Sequence, residues 1–230
     1  MLRHTLRISI LVLVAAIGGL MAAAAEPTPD VVERQRRLML EAGERGDAGA
    51  IYRLVFAGGK VDVIDEARRT PLYMAVMANR LEAVKQLLAE GASVNVQARD
   101  LATPWLLAAS LGRTEMLRLM IPHQPDFTIL DRFGDTALSA ACEAGFPETV
   151  RLLLELPVDV NHRNRLGWTC LVEIAFVSDG GKPQQEIAEA VLKAGADPNI
   201  VDSHGKTALA HADKRKLAAL AAILRARGAR

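Results

Sequence analysis

Apolar residues fall on one helical face again and again along this chain. Val84, Leu87 and Leu88 form such a face. So do Leu117, Met120 and Ile121, then Val150, Leu153 and Leu154, each set spaced i, i+3, i+4. Ahead of each set lies a shorter apolar run that opens with a threonine. Between run and face stand Asn79, Gly112 and Gly145, residue types that tolerate a left-handed turn. The pattern predicts pairs of short helices, repeated, and no strands. No single pair is large enough to bury its own apolar face, so neighbouring pairs must stack.

The threonines set the period. Thr70-Pro71-Leu72-Tyr73 returns as Thr103-Pro104-Trp105-Leu106, Thr136-Ala137-Leu138-Ser139 and Thr169-Cys170-Leu171-Val172, 33 residues apart each time. A fifth copy, Thr207-Ala208-Leu209-Ala210, follows after 38 residues, and Ser178 to Pro183 holds the extra length. Threonine at a helix start can cap free N–H groups, and proline suits the first helical position. This tetrapeptide and period resemble the ankyrin repeat. The resemblance implies an all-α solenoid of about six repeats, near residues 31–63, 64–96, 97–129, 130–162, 163–200 and 201–230. The first is degenerate: Arg37 stands where its threonine should be, while Gly46, Ile51, Leu54, Val55 and Gly58 keep register. Gln124 and Pro157 replace a terminal glycine, so their helices are expected to end differently. Arg225 and Lys214-Arg215-Lys216 give the last repeat the polar character of a cap. Trp105 takes a core leucine position and is expected to be buried.

The first 25 residues read differently. Arg3 and Arg7 precede an uncharged stretch, and Ala22 to Ala25 supply small residues, the layout of a cleaved signal peptide. Residues 26–230 would then be the repeat domain, periplasmic or secreted. The rival is an uncleaved inner-membrane anchor, since Ile8 to Ala25 is 18 residues without charge. The whole chain has 28 basic and 27 acidic residues, a balance that argues against nucleic acid, whose binders carry a basic face.

Catalytic and cofactor motifs are not found. Gly205-Lys206-Thr207 lacks the upstream glycine and strand of a phosphate loop, and reads as a repeat turn. His123, His162, His204 and His211 show no metal-ligand spacing. We therefore expect no enzyme, cofactor or metal. Cys142 and Cys170 sit six and one residues after their threonines. That offset is about 7 Å along a helix axis, and adjacent helices lie about 8–10 Å apart, so free thiols are expected.

In ankyrin architecture partners meet the turn tips and the exposed side of the first helices. The resemblance therefore implies a protein partner bound at the concave face by a chain that is monomeric alone, with no membrane contact once the leader is removed. In this register the contact positions include Arg69, Met77, Arg99, Arg132, Phe133, Arg165, Leu166, Trp168 and Phe176. Tip positions have no packing duty, so Phe133, Leu166 and Trp168 at tips, with Phe176 beside them, mark an interaction patch. Alternatively the insertion folds back and covers Phe176 and Val177. Exported bacterial proteins of this kind include partners of oxidant-defence enzymes and immunity proteins that neutralise toxins. A periplasmic adaptor, an immunity or inhibitor protein, and an enzyme with an unrecognised site are the competing readings.

Overall fold

A computed structural model describes residues 28–230, so the leader lies outside the described residues. Contacts divide the chain at residues 34 and 35, and residues 35–230 form one compact unit. The described residues contain twelve α-helices and no strand. In chain order these are α1 (Pro29–Arg45), α2 (Ala48–Phe56), α3 (Pro71–Met77), α4 (Leu81–Ala89), α5 (Pro104–Ser110) and α6 (Thr114–Met120). Then follow α7 (Ala137–Ala144), α8 (Pro147–Leu153), α9 (Cys170–Val177), α10 (Lys182–Lys193), α11 (Ala208–Lys214) and α12 (Ala218–Ala226).

Helices with odd numbers from α3 to α11 pack on one another in an inner layer, and α2 to α12 do the same in an outer layer. Each inner helix from α3 onward opens on its threonine. The Oγ1 atoms of Thr70, Thr103, Thr136, Thr169 and Thr207 accept the N–H three residues on. Asn79, Gly112, Gly145 and Lys216 turn the chain between helices with φ between 56° and 76°. The core is continuous and built from Leu72, Leu87, Leu117, Leu153, Leu171, Ile187 and Leu220 with many alanines. Trp105 is 2% exposed, as its register position requires.

Three local features differ from the regular pattern. α1 does not open at Arg37 but eight residues earlier, at Pro29, because Arg37 cannot cap and nothing between breaks the helix. α6 ends in a 3-10 turn at Ile121–His123, and Gln124 takes the left-handed conformation that glycine takes elsewhere (φ 56°). The insertion lengthens α10 and sends Gly180 against Leu217 of the last repeat. It leaves Phe176 and Val177 exposed, so it does not cover them. The end of α9 is closed instead by Arg215, whose Nη1 donates to the carbonyls of Ala175 and Phe176.

The cysteines are not free thiols. Cys142 and Cys170 form a disulfide with Cα atoms 5.5 Å apart. The expectation of thiols fails because the inner helices are staggered along their axes. The sixth residue after one threonine thereby meets the first residue after the next. The same approach shows in the first two repeats, where a Cβ on Gly43 would stand 2.5 Å from the Pro71 carbonyl oxygen. Along the array this register pairs Gly43 with Pro71, Val76 with Pro104, Ala109 with Ala137, Cys142 with Cys170, and Ala175 with Ala208. Small side chains dominate it, and two cysteines there are already within bridging distance.

Candidate interaction face

Four of the turn tips are tight hairpins closed by an Asp or Asn five residues before the threonine, and that of the third repeat has Ala98 there. Asp65, Asp131, Asn164 and Asp202 each accept, through Oδ1, the N–H of the residue just before the threonine. Adjacent tips are tied by backbone bonds from Arg99 to Ala67, Arg165 to Phe133, and Ser203 to Leu166. The tips are thus a rigid ladder on which side chains point outward.

Phe133 and Leu166 are exposed on consecutive tips, at 52% and 49%. Arg132 lays its guanidinium 4.7 Å from the centre of the Phe133 ring. Arg165 reaches across and donates to the Arg132 carbonyl at 2.6 Å. Four of the expected residues therefore meet at one place. Trp168 departs from expectation. It is half-buried and packs on the core, with its backbone N–H held by Asn164 as in the three other hairpins of this kind. Its ring lies 4.5 Å from that of Phe176, which is 44% exposed. Phe176 in turn meets His211 edge-on at 5.2 Å, and His211 Nε2 bonds the Asp202 carboxylate at 2.8 Å. The remaining three lie in the earlier repeats, away from this cluster in sequence register. Met77 is exposed, Arg99 is exposed, and Arg69 is held by Asp65 at 2.7 Å.

Beside Phe176 the inner face carries an acidic group that sequence reading passed over. Glu173 is 1% exposed on α9, four residues after Thr169. Asn164 Nδ2 donates to its Oε1 at 3.2 Å. Glu173 Oε2 and Asp135 Oδ1 find no N–H or O–H donor, and the two carboxyls lie close enough to share a proton. Burial, then the Asp135 charge, pushes Glu173 well above the usual carboxylate range. Burial raises Asp135 as well, although Asn164 opposes it. Glu143, exposed on α7, is raised by partial burial and by Asp135 and Asp131. The signal was present in the sequence: a lone acid in the apolar run Leu171 to Val177.

The ankyrin-repeat family model matches residues 38–131 and 106–202 in overlapping stretches, more than half of the chain. The chain belongs to the ankyrin-repeat family. An ankyrin-repeat domain from Acinetobacter baumannii AYE is 36% identical, with a TM-score of 0.80 over 84% of this chain and 98% of that one. The ankyrin-repeat domain of Bcl-3, of the IκB family, is 27% identical with a TM-score of 0.75, over 84% of this chain and 86% of that one. The putative ankyrin-repeat protein YahD of Escherichia coli K12 is 43% identical over 70 residues, 30% of this chain and 35% of that relative. The match thus spans about a third of YahD. The repeats make this chain a protein-interaction module, and the family generally acts by binding rather than by catalysis.

Proposed function

We propose that this protein is an exported, periplasmic binding module that grips one partner protein through the inner face and tips of its fourth and fifth repeats. The observation that carries the reading is the exposure of Phe133 and Leu166 at one register position on consecutive tips, together with Phe176 exposed on α9 against Trp168. Exposed apolar side chains of this size gain nothing in folding, whereas covering them on a partner contributes to binding. Two observations support the location. The leader has the layout of a signal peptide, and the Cys142–Cys170 pair is positioned as a disulfide, a bond that persists in oxidising compartments.

The test is affinity purification of the mature chain from periplasmic extract, followed by affinity measurement with the recovered protein. Phe176→Ala and Phe133→Ala should each weaken binding by about tenfold while leaving thermal stability nearly unchanged. Trp168→Ala should weaken binding too, with some loss of stability because the indole is half-buried. A partner bound equally well by all three variants would place the binding face elsewhere. An intact mass that retains residues 1–25 would overturn the exported soluble form.

A further inference from the structure

The carboxyls between the fourth and fifth repeats are an expense the scaffold does not require. Four residues after the threonine, the second, third and fourth repeats place Met74, Leu107 and Ala140. The sixth places His211, which meets a carboxylate partner in Asp202. The first places Glu41, half-buried and paired with Arg45, so only the fifth buries an acid there, against another acid. The charges acting on Glu173 are those of Asp135, Glu143 and Asp131, all of one sign. On Asp135 the opposing charge comes from His162, whose Nε2–H is donated to the Gly134 carbonyl at 2.7 Å. The nearby tip arginines are engaged elsewhere, Arg132 on Phe133 and Arg165 on a backbone carbonyl. Glu173 Oε2 meets no N–H donor and no cation in a side chain that is almost completely buried, and only the Asp135 carboxyl can share a proton with it. Structural carboxylates in interiors are paired with a cation or fully hydrogen-bonded. This one has no cation, and beyond Asn164 its partner is a second acid, Asp135.

Charge and shape agree on what is missing. Glu143 and Phe176 share one register position, seven residues after their threonines, on the packed inner helices α7 and α9. Glu143 is exposed, the Asp135–Glu173 pair lies below the surface, and Phe176 with Trp168 forms an aromatic wall. Among the described residues no three acidic, histidine or cysteine side chains converge tightly enough to hold a metal ion. A long organic cation suits the arrangement better, its charged head at Glu143 and its apolar stem along the rings.

We propose that this face receives an arginine or lysine side chain presented by the partner protein, with Glu143 as its direct contact and the Asp135–Glu173 pair supplying negative field from beneath. The inference rests on the binding face proposed above. It assigns that face a basic, not an acidic, partner segment.

A random 12-residue peptide library displayed and selected on the folded mature chain tests it. Selected peptides that compete at this face should carry Arg or Lys at a fixed position. Replacing that residue by norleucine should weaken binding to the wild-type chain by about tenfold, and far less in Glu143→Gln or Glu143→Gln/Glu173→Gln. Glu143 is exposed, so its single variant folds even if the double one is perturbed. Peptides lost in Phe176→Ala yet indifferent to both carboxyls would overturn the cation while leaving the face in place. Peptides indifferent to Phe176 as well would remove both readings. Competition by calcium that depends on Glu143 would make a metal the occupant and overturn the proposal.

Discussion

The two tryptophans stand three positions apart in the repeat register, and they belong to different kinds of surface. Trp105 lies two residues after its threonine, where the other repeats place Leu72, Leu138, Leu171 and Leu209. It is enclosed by the core, with Phe127 at 5.8 Å, and its Nε1–H has no acceptor. Trp168 lies one residue before its threonine, half-buried, and shares its ring with a solvent-facing phenylalanine. In the third repeat a large side chain is tolerated as packing at the cost of one orphaned donor. In the fifth, large side chains and buried acids gather where neither improves the fold. Departures from the repeat pattern therefore separate into those the scaffold absorbs and those it leaves facing outward, and the second kind defines the face we propose for binding.

The sharpest way to break this contrast is to truncate the buried ring. Trp105→Ala should destabilise the protein by about 3–5 kcal/mol, from lost transfer free energy and the cavity left behind. Trp105→Leu should cost less, since it restores the side chain used in the other repeats and removes the unpaired N–H. Neither should change affinity for peptides selected at the fifth repeat, provided that binding is measured below the melting transition. Chemical denaturation with both variants reads the stabilities. A mild Trp105→Ala would mean that the third repeat relaxes around the gap and that its tryptophan is no more structural than Trp168.

Next in size is the bridge joining the fourth and fifth repeats. Cys142→Ala/Cys170→Ala should cost about 3 kcal/mol, from the unfolded-state freedom regained when a 28-residue separation is no longer closed. The loss should fall on the junction that also positions Glu143 and Glu173, so hydrogen exchange should rise first in α7 and α9. Alkylation under denaturing, non-reducing conditions should leave both cysteines of the oxidised chain unmodified. Two labelled thiols in protein recovered from the periplasm would remove the bridge and weaken the case for an exported location.

How much of this was readable beforehand follows from what repeats encode. Burial of Trp105 and capping by the five threonines were legible, because register position alone decides them. The disulfide was not, since residue spacing says nothing of how far one helix slides along its neighbour. The small residues Gly43, Ala109 and Ala175 at the equivalent position were the available clue. The early start of α1 was hidden by aligning Arg37 with a threonine it does not replace chemically. At the proposed binding face, the outward apolar side chains Phe133 and Leu166 could be placed from their tip positions, and Phe176 from its place on the exposed side of a first helix. The inward turn of Trp168 could not, because it depends on contact with Phe176 and the core. Glu173 left a sign, one acid in an apolar run, but its burial against Asp135 depends on how neighbouring repeats pack.

The smallest effect, and the one that tests whether the fifth repeat bears a cost for its acids, is Glu173→Gln. Burial and the Asp135 charge hold Glu173 above the ordinary carboxylate value of 4.5 in the folded chain. A raised carboxyl binds its proton more tightly when folded than when unfolded. Its stabilising contribution is therefore fully present below the ordinary value and is lost as pH rises through the folded one. Asp135 and Glu143 are raised too and act in the same direction. Asp65 and Asp202 act oppositely: burial pushes them up, but bonds from Arg69, and from Lys206 and His211, outweigh it and hold them low. Whole-protein pH curves mix these signs, so the difference between wild type and Glu173→Gln is the quantity to follow. Glutamine keeps the shape, can donate to Asp135, and does not titrate. The two chains should melt together below the ordinary value of 4.5, and the variant should melt progressively higher as pH rises above it. With roughly 2–4 °C per kcal/mol for a chain of this size, the divergence is measurable by calorimetry. A gap that stays constant with pH would show that Glu173 does not titrate in this range. A variant less stable at every pH would show that the carboxyl is structural, and the fifth repeat would then differ from the third in degree only.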